Sequence, residues 1–327
     1  MGRSSLKPKL TSSELVRKMH DEKGILFNIT TEIAAKKYLL NINNYLRTAA
    51  YRKNYTKRQM GTEKGKYIDL EFAYLQELSS IDLRFRSIVY RMCIDIEHSL
   101  KVQLLKKIEQ DSSDDGYSLV KTFLGTNKWV IKNIEQTITS PFTKELLKKY
   151  FTIKNKYNKC TGRNENHITN YKKCPVWVLM EVLSFGNFIS FYNYYFRNKQ
   201  IKPFLSASLL NIIRNLRNAC AHNNCMLINL SNKTSNPPAE IGIFVSKIKN
   251  IGQDQRKWKL SCRPTMEFIT LLYVYNKTVP HSIAKDRIKE LKFLFFKRMM
   301  KNWRFFIKNE PIRSSYFFAC KILSHLY

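Results

Sequence analysis

Arg217-Asn218-Ala219-Cys220-Ala221-His222, followed by Asn223-Asn224, brings together an Arg, a neighbouring Asn and a His four residues beyond the Asn. A guanidinium grips a phosphate in a bidentate fork, and an imidazole moves a proton near neutral pH. RNA carries its own nucleophile, the 2′-OH, so these groups suffice in principle to cleave its backbone without a metal. His222 would take the 2′-OH proton or protonate the departing 5′-oxygen. Arg217 would stabilise charge on the phosphorane-like transition state. Asn218, on the same helix face as His222, would orient the imidazole or the phosphate. The products expected of such a reaction are a 2′,3′-cyclic phosphate and a 5′-OH.

These groups need a platform, and the apolar spacing upstream predicts a helix from about Ala207 to His222 that carries them at its C-terminal end. Thr11-x-x-Glu14 reads as a capping box opening a helix through about His20, closed by Gly24. A second helix starts at Thr30 or Thr31 and runs through Leu46, and a long helical pattern spans about Leu70 to Ile108 with a break near Ser79-Ser80. Pro175 to Gly186 reads as one apolar helix with a Pro in its first turn. Glu109 to Gly116 is an acidic, turn-rich loop, whereas Lys144 to Lys173 is rich in Lys and Asn and studded with Tyr150, Tyr157 and Tyr171. Asn223 to Trp258 holds Pro237-Pro238 and a β-like run, Ile241 to Val245, and reads as an insertion or hairpin. The fold expected is mainly α: one domain over residues 1–327, a helical bundle with additional N- and C-terminal helices and a short β-hairpin insertion. Its parts are an N-terminal helical stretch to about 110, a core over about 80–225, the insertion over about 223–260 and basic helices over about 262–327.

Composition favours a polyanionic partner. The 327 residues carry 57 Lys and Arg against 25 Asp and Glu, a formal net charge of +32, which creates a field that attracts nucleic acid and, more weakly, an anionic membrane surface. With 44% hydrophobic residues, including 20 Phe and 18 Tyr, the chain has material for a real core and is not a disordered basic tail. The seven Cys, Cys93, Cys160, Cys174, Cys220, Cys225, Cys262 and Cys320, form no C-x-x-C and read as reduced thiols of a cytoplasmic protein, with neither disulfide framework nor metal site nor cofactor. The start, MGRSSLKPKL, has no apolar signal core, and the apolar runs are too short and too charged to span a membrane.

Other candidates compete with the Arg217/His222 pair. Arg91 and His98, seven residues apart, return nearly to one helix face and form a possible second pair, but Ile94, Ile96 and Leu100 around them describe a packed amphipathic helix with a surface Arg and a capped or core His. Glu181 is a possible supporting acceptor or the partner of a core-edge cation. Cys220 reads as a small core residue, and Trp177 as core. Three basic stretches read as RNA contacts: Arg52, Lys53, Lys57 and Arg58 interleaved with Tyr51 and Tyr55; Lys148, Lys149, Lys154 and Lys156; and Lys297, Arg298, Lys301 and Arg304 around Trp303. Aromatics among cations suit stacking on unpaired bases with phosphate contact; the bland alternative for each is a solvated helix face over core aromatics.

Several blocks, in order, resemble one family. They are Leu6-Lys-Pro-Lys-Leu-Thr11 with Glu14-Leu15 and Gly24-Ile25; Tyr38-Leu-x-x-Ile42-Asn43-x-Tyr45 with Tyr51; Ile94-Asp-Ile-Glu97-His98-Ser-Leu100-Lys101; Pro175-Val-Trp177 through Glu181 to Ser184-Phe185-Gly186; and Arg217-Asn218-x-x-x-His222-Asn223. Together they are similar to the Abi-like (AbiD/AbiF) abortive-infection proteins, over roughly two-thirds to three-quarters of the chain. The resemblance implies a HEPN-type ribonuclease core, whose signature is an Arg and a His separated by a few residues. It also implies a toxin role in phage defence, restraint or guidance by a small structured non-coding RNA, and a homodimer that places two Arg217/His222 pairs in one cleft. Two readings remain beside it: a catalytically inactive RNA-binding module, and a protein-binding defence factor. No helix-turn-helix or zinc pattern supports DNA binding.

Overall fold

The computed structural model describes residues 8–158, 160 and 162–327; Leu6 and Lys7, which open the first family-like block, lie outside them. The protein is mainly helical, as its sequence implies, and packs as two compact units. The first unit comprises the residues up to Cys93, Asn215–Lys277 and His281–Tyr327, and the second Ile94–Arg214 with Thr278–Pro280.

In chain order the first unit opens with α1 (Ser12–Asp21), α2 (Glu32–Asn41) and α3 (Tyr45–Ala50). Thr11 and Glu14 form the expected capping box, and Gly24 turns the chain at φ 65°. The helix expected through Leu46 is two: Ile42 ends α2, and the Asn44 side chain caps α3 by accepting from Arg47 N–H at 3.0 Å. The helix α4 (Phe72–Glu109) then runs unbroken for 38 residues, through Ser79-Ser80, and is shared between the units. The serines do not interrupt it because their hydroxyls are engaged elsewhere: Ser79 accepts from Asn43 Nδ2 at 2.7 Å and Ser80 from Arg298 Nη2 at 3.0 Å.

The second unit continues with α5 (Ser118–Thr126), α6 (Lys128–Glu135), α7 (Lys144–Tyr150) and an antiparallel hairpin, β1 (Thr152–Asn158) and β2 (Arg163–Asn170). It then forms α8 (Val176–Val182), α9 (Phe185–Asn198) and α10 (Ala207–Ala221), the last also shared with the first unit. Pro175 to Gly186 is thus two helices, because Leu183 leaves the helical region and Ser184 caps α9 through Asn187 N–H. Phe123, Phe188, Phe191, Tyr192, Tyr195 and Phe196 form a buried aromatic core. In the acidic loop, Asp111 meets Lys199 Nζ at 2.6 Å; that hydrogen bond, with those from Ser113, holds the carboxyl down at about 2.

The first unit is completed by α11 (Ala239–Ser246), α12 (Gln253–Leu260), α13 (Arg263–Thr278, ending at the edge of the unit), α14 (His281–Phe293), a π-helical turn at Leu294–Arg298 and α15 (Glu310–Leu326). The run Ile241 to Val245, expected as a strand, lies within α11: its β-branched residues are outweighed by burial of Ile241 and Val245 one helical turn apart. The hairpin sits instead in the Lys-rich stretch, where the alternation is of polar residues and carries no hydrophobic period.

Candidate active site

The end of α10 presents the Arg-Asn-His group. Leu209, Leu210, Ile213 and Leu216 bury one stripe of the helix, and Asn218 and His222 lie exposed on the other side. Half-buried Arg217 donates from Nη1 to Asn218 Oδ1 at 3.2 Å, while its Nε is buried without a hydrogen-bond partner. Asn218 therefore bonds Arg217 here, where the spacing had paired it with His222. His222 is the first residue past the helix, its N–H still donating to Asn218 O at 2.9 Å. Asn223 takes φ 57°, and the N–H groups of Asn223 and Asn224 reach back to Cys220 O at 3.0 Å and Ala219 O at 2.9 Å. This crossed pair is a Schellman closure with Asn where Gly is usual, so the two asparagines stop the helix and set the exit direction at His222.

The exit is fixed by α4. Fully buried Asp82 accepts from Met226 N–H at 2.8 Å, Leu227 N–H at 2.9 Å, Tyr51 Oη at 3.0 Å and Arg86 Nη1 at 2.6 Å. Arg86 Nη1 also reaches Asn224 O at 3.4 Å. Burial pushes the Asp82 carboxyl up, opposed first by the Arg86 guanidinium and then by the Tyr51 and backbone hydrogen bonds. Sequence reasoning missed Asp82 and Arg86, because an Asp/Arg pair four apart on a helix reads as an ordinary surface pair. The available signal was their setting among Ile81, Phe85, Ile88 and Val89, all buried. Cys220, also buried, has its thiol pushed up to about 12 by desolvation, which suits a core residue. Among the described residues no group of three or more His, Cys, Asp or Glu is placed to hold a metal ion.

The remaining candidates separate. Arg91 is held by Glu290 and by Ser87 O, whereas His98, further along α4, is exposed. Glu181 is exposed on α8, and Trp177, expected in the core, is 51% exposed with its ring edge-on to Tyr117 at 6.0 Å. In the first basic stretch Lys53, Lys57 and Arg58 are exposed, and Arg52 bonds the Tyr45 hydroxyl at 3.3 Å. Tyr51, however, is core, and the Tyr55 hydroxyl is buried and its acidity suppressed by desolvation, so neither is a stacking platform. In the C-terminal stretch Lys297, Lys301 and Arg304 are exposed, but Arg298 makes a two-pronged ion pair with Glu77 and bonds Ser80. Lys148 and Lys149 lie exposed on α7, and Lys154 and Lys156 on β1. There Tyr157 is 65% exposed, and Arg163 opposes Asn158 across the strands. Glu135 on α6 anchors the hairpin, accepting from Ile168 N–H at 2.7 Å with His167 Nδ1 3.7 Å away.

These observations define a mainly helical protein with an Arg-x4-His turn at a buttressed helix end. The chain matches the family model described as Abi-like protein over residues 37–228, more than half its length, and belongs to that family. Membership points to abortive-infection phage defence. The chain matches no curated protein and no solved structure. Among the described residues no helix is long and apolar enough to cross a membrane.

Proposed function

We propose that this protein is an RNA-binding, metal-independent endoribonuclease of the HEPN type, acting as the toxin of a phage-defence system under the control of a small structured RNA. The observation that carries the reading is the conjunction of Arg217, Asn218 and His222 at one helix end, with the imidazole exposed and the Arg217 Nε buried without an acceptor. The half-buried guanidinium lies beside the exposed imidazole, and uncovering its orphan Nε would give a phosphate oxygen a charged donor to pair with. His222 exchanges the proton with the 2′-OH or the 5′-oxygen, and Arg217 stabilises the charge that develops on the phosphate. A second copy of the chain supplies the second imidazole, so that one acts as base and the other as acid. Cytoplasmic RNA is the substrate, and the formal charge of +32 draws it in.

The test is cleavage of end-labelled RNA by the purified protein in excess chelator, comparing wild type with His222→Ala. Fragments ending in a 2′,3′-cyclic phosphate from wild type alone support the proposal. Intact RNA from both, with RNA still bound, replaces it with the inactive binding module. No RNA affinity at moderate salt overturns both.

A further inference from the structure

Within the first unit lies a cavity of about 90 Å³. Its walls come from α4, from the segments either side of the Arg/His turn and from the helices after Arg263, and every lining residue is apolar except Thr265, Ser315, Tyr316 and Trp303, which carry an O–H or an N–H. Leu216, one residue before Arg217, forms part of one wall, and Met226 and Leu227, whose N–H groups Asp82 holds, form another. Phe268, Phe295 and Ala319 line it from α13, the π-helical turn and α15.

The polar groups in the wall are already engaged. The Tyr316 hydroxyl donates to Phe295 O at 3.0 Å, and Ser315 Oγ accepts from Lys259 Nζ at 3.3 Å. That leaves the Thr265 hydroxyl and the Trp303 indole N–H, the fewest partners with which a buried water is held. A space of this size, walled overwhelmingly by aromatic and aliphatic side chains, favours an apolar guest over water, and dispersion contacts are missing from its walls. A guest restores them without desolvating anything polar. For scale, an engineered apolar cavity of roughly 150 Å³ takes up benzene or xenon.

We propose that this cavity is a binding site for one small neutral apolar molecule, no larger than a single aromatic ring. Because its walls flank the Arg217–His222 turn on both sides, the occupant stiffens the segment that follows His222. A charged head is excluded: Lys259 stands behind Ser315, 4% exposed and also bonded to the Ser314 hydroxyl, so among the described residues no free cation lines the cavity.

The experiment titrates the full-length protein with benzene and, separately, with benzoate, which has the same ring and a charge. Benzene is expected to raise the thermal midpoint by about 2–4 °C and to slow hydrogen exchange at the Met226 and Leu227 amides several-fold. In methyl spectra it shifts Met226, Leu227 and Met299, which line the cavity, and leaves Met60, 85% exposed, unmoved. Ala319→Leu, which fills the space from α15, abolishes all of these effects. The methyl spectra need no variant, so they decide the matter if Ala319→Leu fails to fold. Absence of benzene shifts at the cavity methyls, or an unchanged response in folded Ala319→Leu, overturns the site. Benzoate binding as well as benzene overturns its neutrality and assigns the site to an anion recruited by Lys259.

Discussion

The turn that follows α10 and the β1–β2 hairpin are both places where cations gather, and they use them in opposite ways. At the turn, the side chain of Arg86 is 6% exposed and locked onto an Asp82 that is wholly buried, and the pair holds main-chain groups from Asn224 to Leu227. On the hairpin, Lys154, Lys156 and Arg163 stand exposed on strands without a buried residue, tied down chiefly at the Glu135 end. The depth of the acidic partner, more than the local density of Lys and Arg, decides whether a cation serves the fold or is left for a ligand. Arg298, bound by Glu77, belongs with the turn; Lys297 and Lys301, its exposed neighbours, belong with the hairpin.

The largest effect expected from this contrast is on Asp82. Asp82→Ala leaves Arg86 charged and buried without its partner and frees two backbone N–H groups, at a cost of about 3–5 kcal/mol in urea unfolding. A loss below about 1 kcal/mol would mean that the Asn223–Asn224 closure positions the turn unaided. On the hairpin the expectation is reversed. Lys154→Ala, Lys156→Ala and Arg163→Ala combined should leave stability within about 0.5 kcal/mol, since exposed charges contribute little to folding. The same triple variant should lower the slope of log affinity for RNA against log salt by about 2–3, one phosphate contact per cation. An unaltered slope would remove the hairpin from the proposed RNA surface.

Lys259 is a third kind of cation, buried with the Ser314 and Ser315 hydroxyls as hydrogen-bond partners, and it sharpens the contrast. Burial lowers its pKa from 10.5, with Glu310 only partly opposing. The folded state therefore gives up this proton at a lower pH than the unfolded chain does. Stability contributed by this residue is least below the folded pKa and rises with pH until the unfolded value near 10.5 is passed. Lys259→Met should flatten that alkaline rise and raise stability at neutral pH by about 1 kcal/mol, as apolar replacements of buried ions often do. An unchanged rise in the variant would mean that Lys259 is charged and well solvated in the fold.

Local signals were legible where one residue type decides the backbone. The Thr11–Glu14 capping box and the left-handed Gly24 stand where the sequence places them, and the helix from Ala207 ends beside His222. What failed depended on partners distant in sequence. Ser79-Ser80 looks like a break until Asn43 and Arg298 claim the hydroxyls, and Ile241 to Val245 looks like a strand until its burial on one helical face is known. Of the candidate site, the Arg-Asn-His group is offered by spacing, but the clamp beneath it is not. Tyr51 and Asp82 lie 31 residues apart, and Asp82 and Met226 lie 144 apart, so no window of sequence contains the clamp.

The smallest effect expected separates the conformational role of Asn223 from any contact it makes with RNA. Asn223 sits at φ 57°, where Asn is tolerated and Gly is unstrained. Asn223→Gly should therefore keep the closure on Cys220 O and Ala219 O and change stability by only a few tenths of a kcal/mol. Asn223→Val forces a β-branched side chain into the left-handed region and should cost about 1–2 kcal/mol, the strain of that conformation. If the side chain serves only to end the helix, Asn223→Gly cleaves RNA as wild type does and Asn223→Val loses activity only as far as it loses fold. If Asn223→Gly stays folded but cleaves poorly, the amide itself touches the substrate, and the turn that Asp82 holds then extends the active site one residue beyond His222.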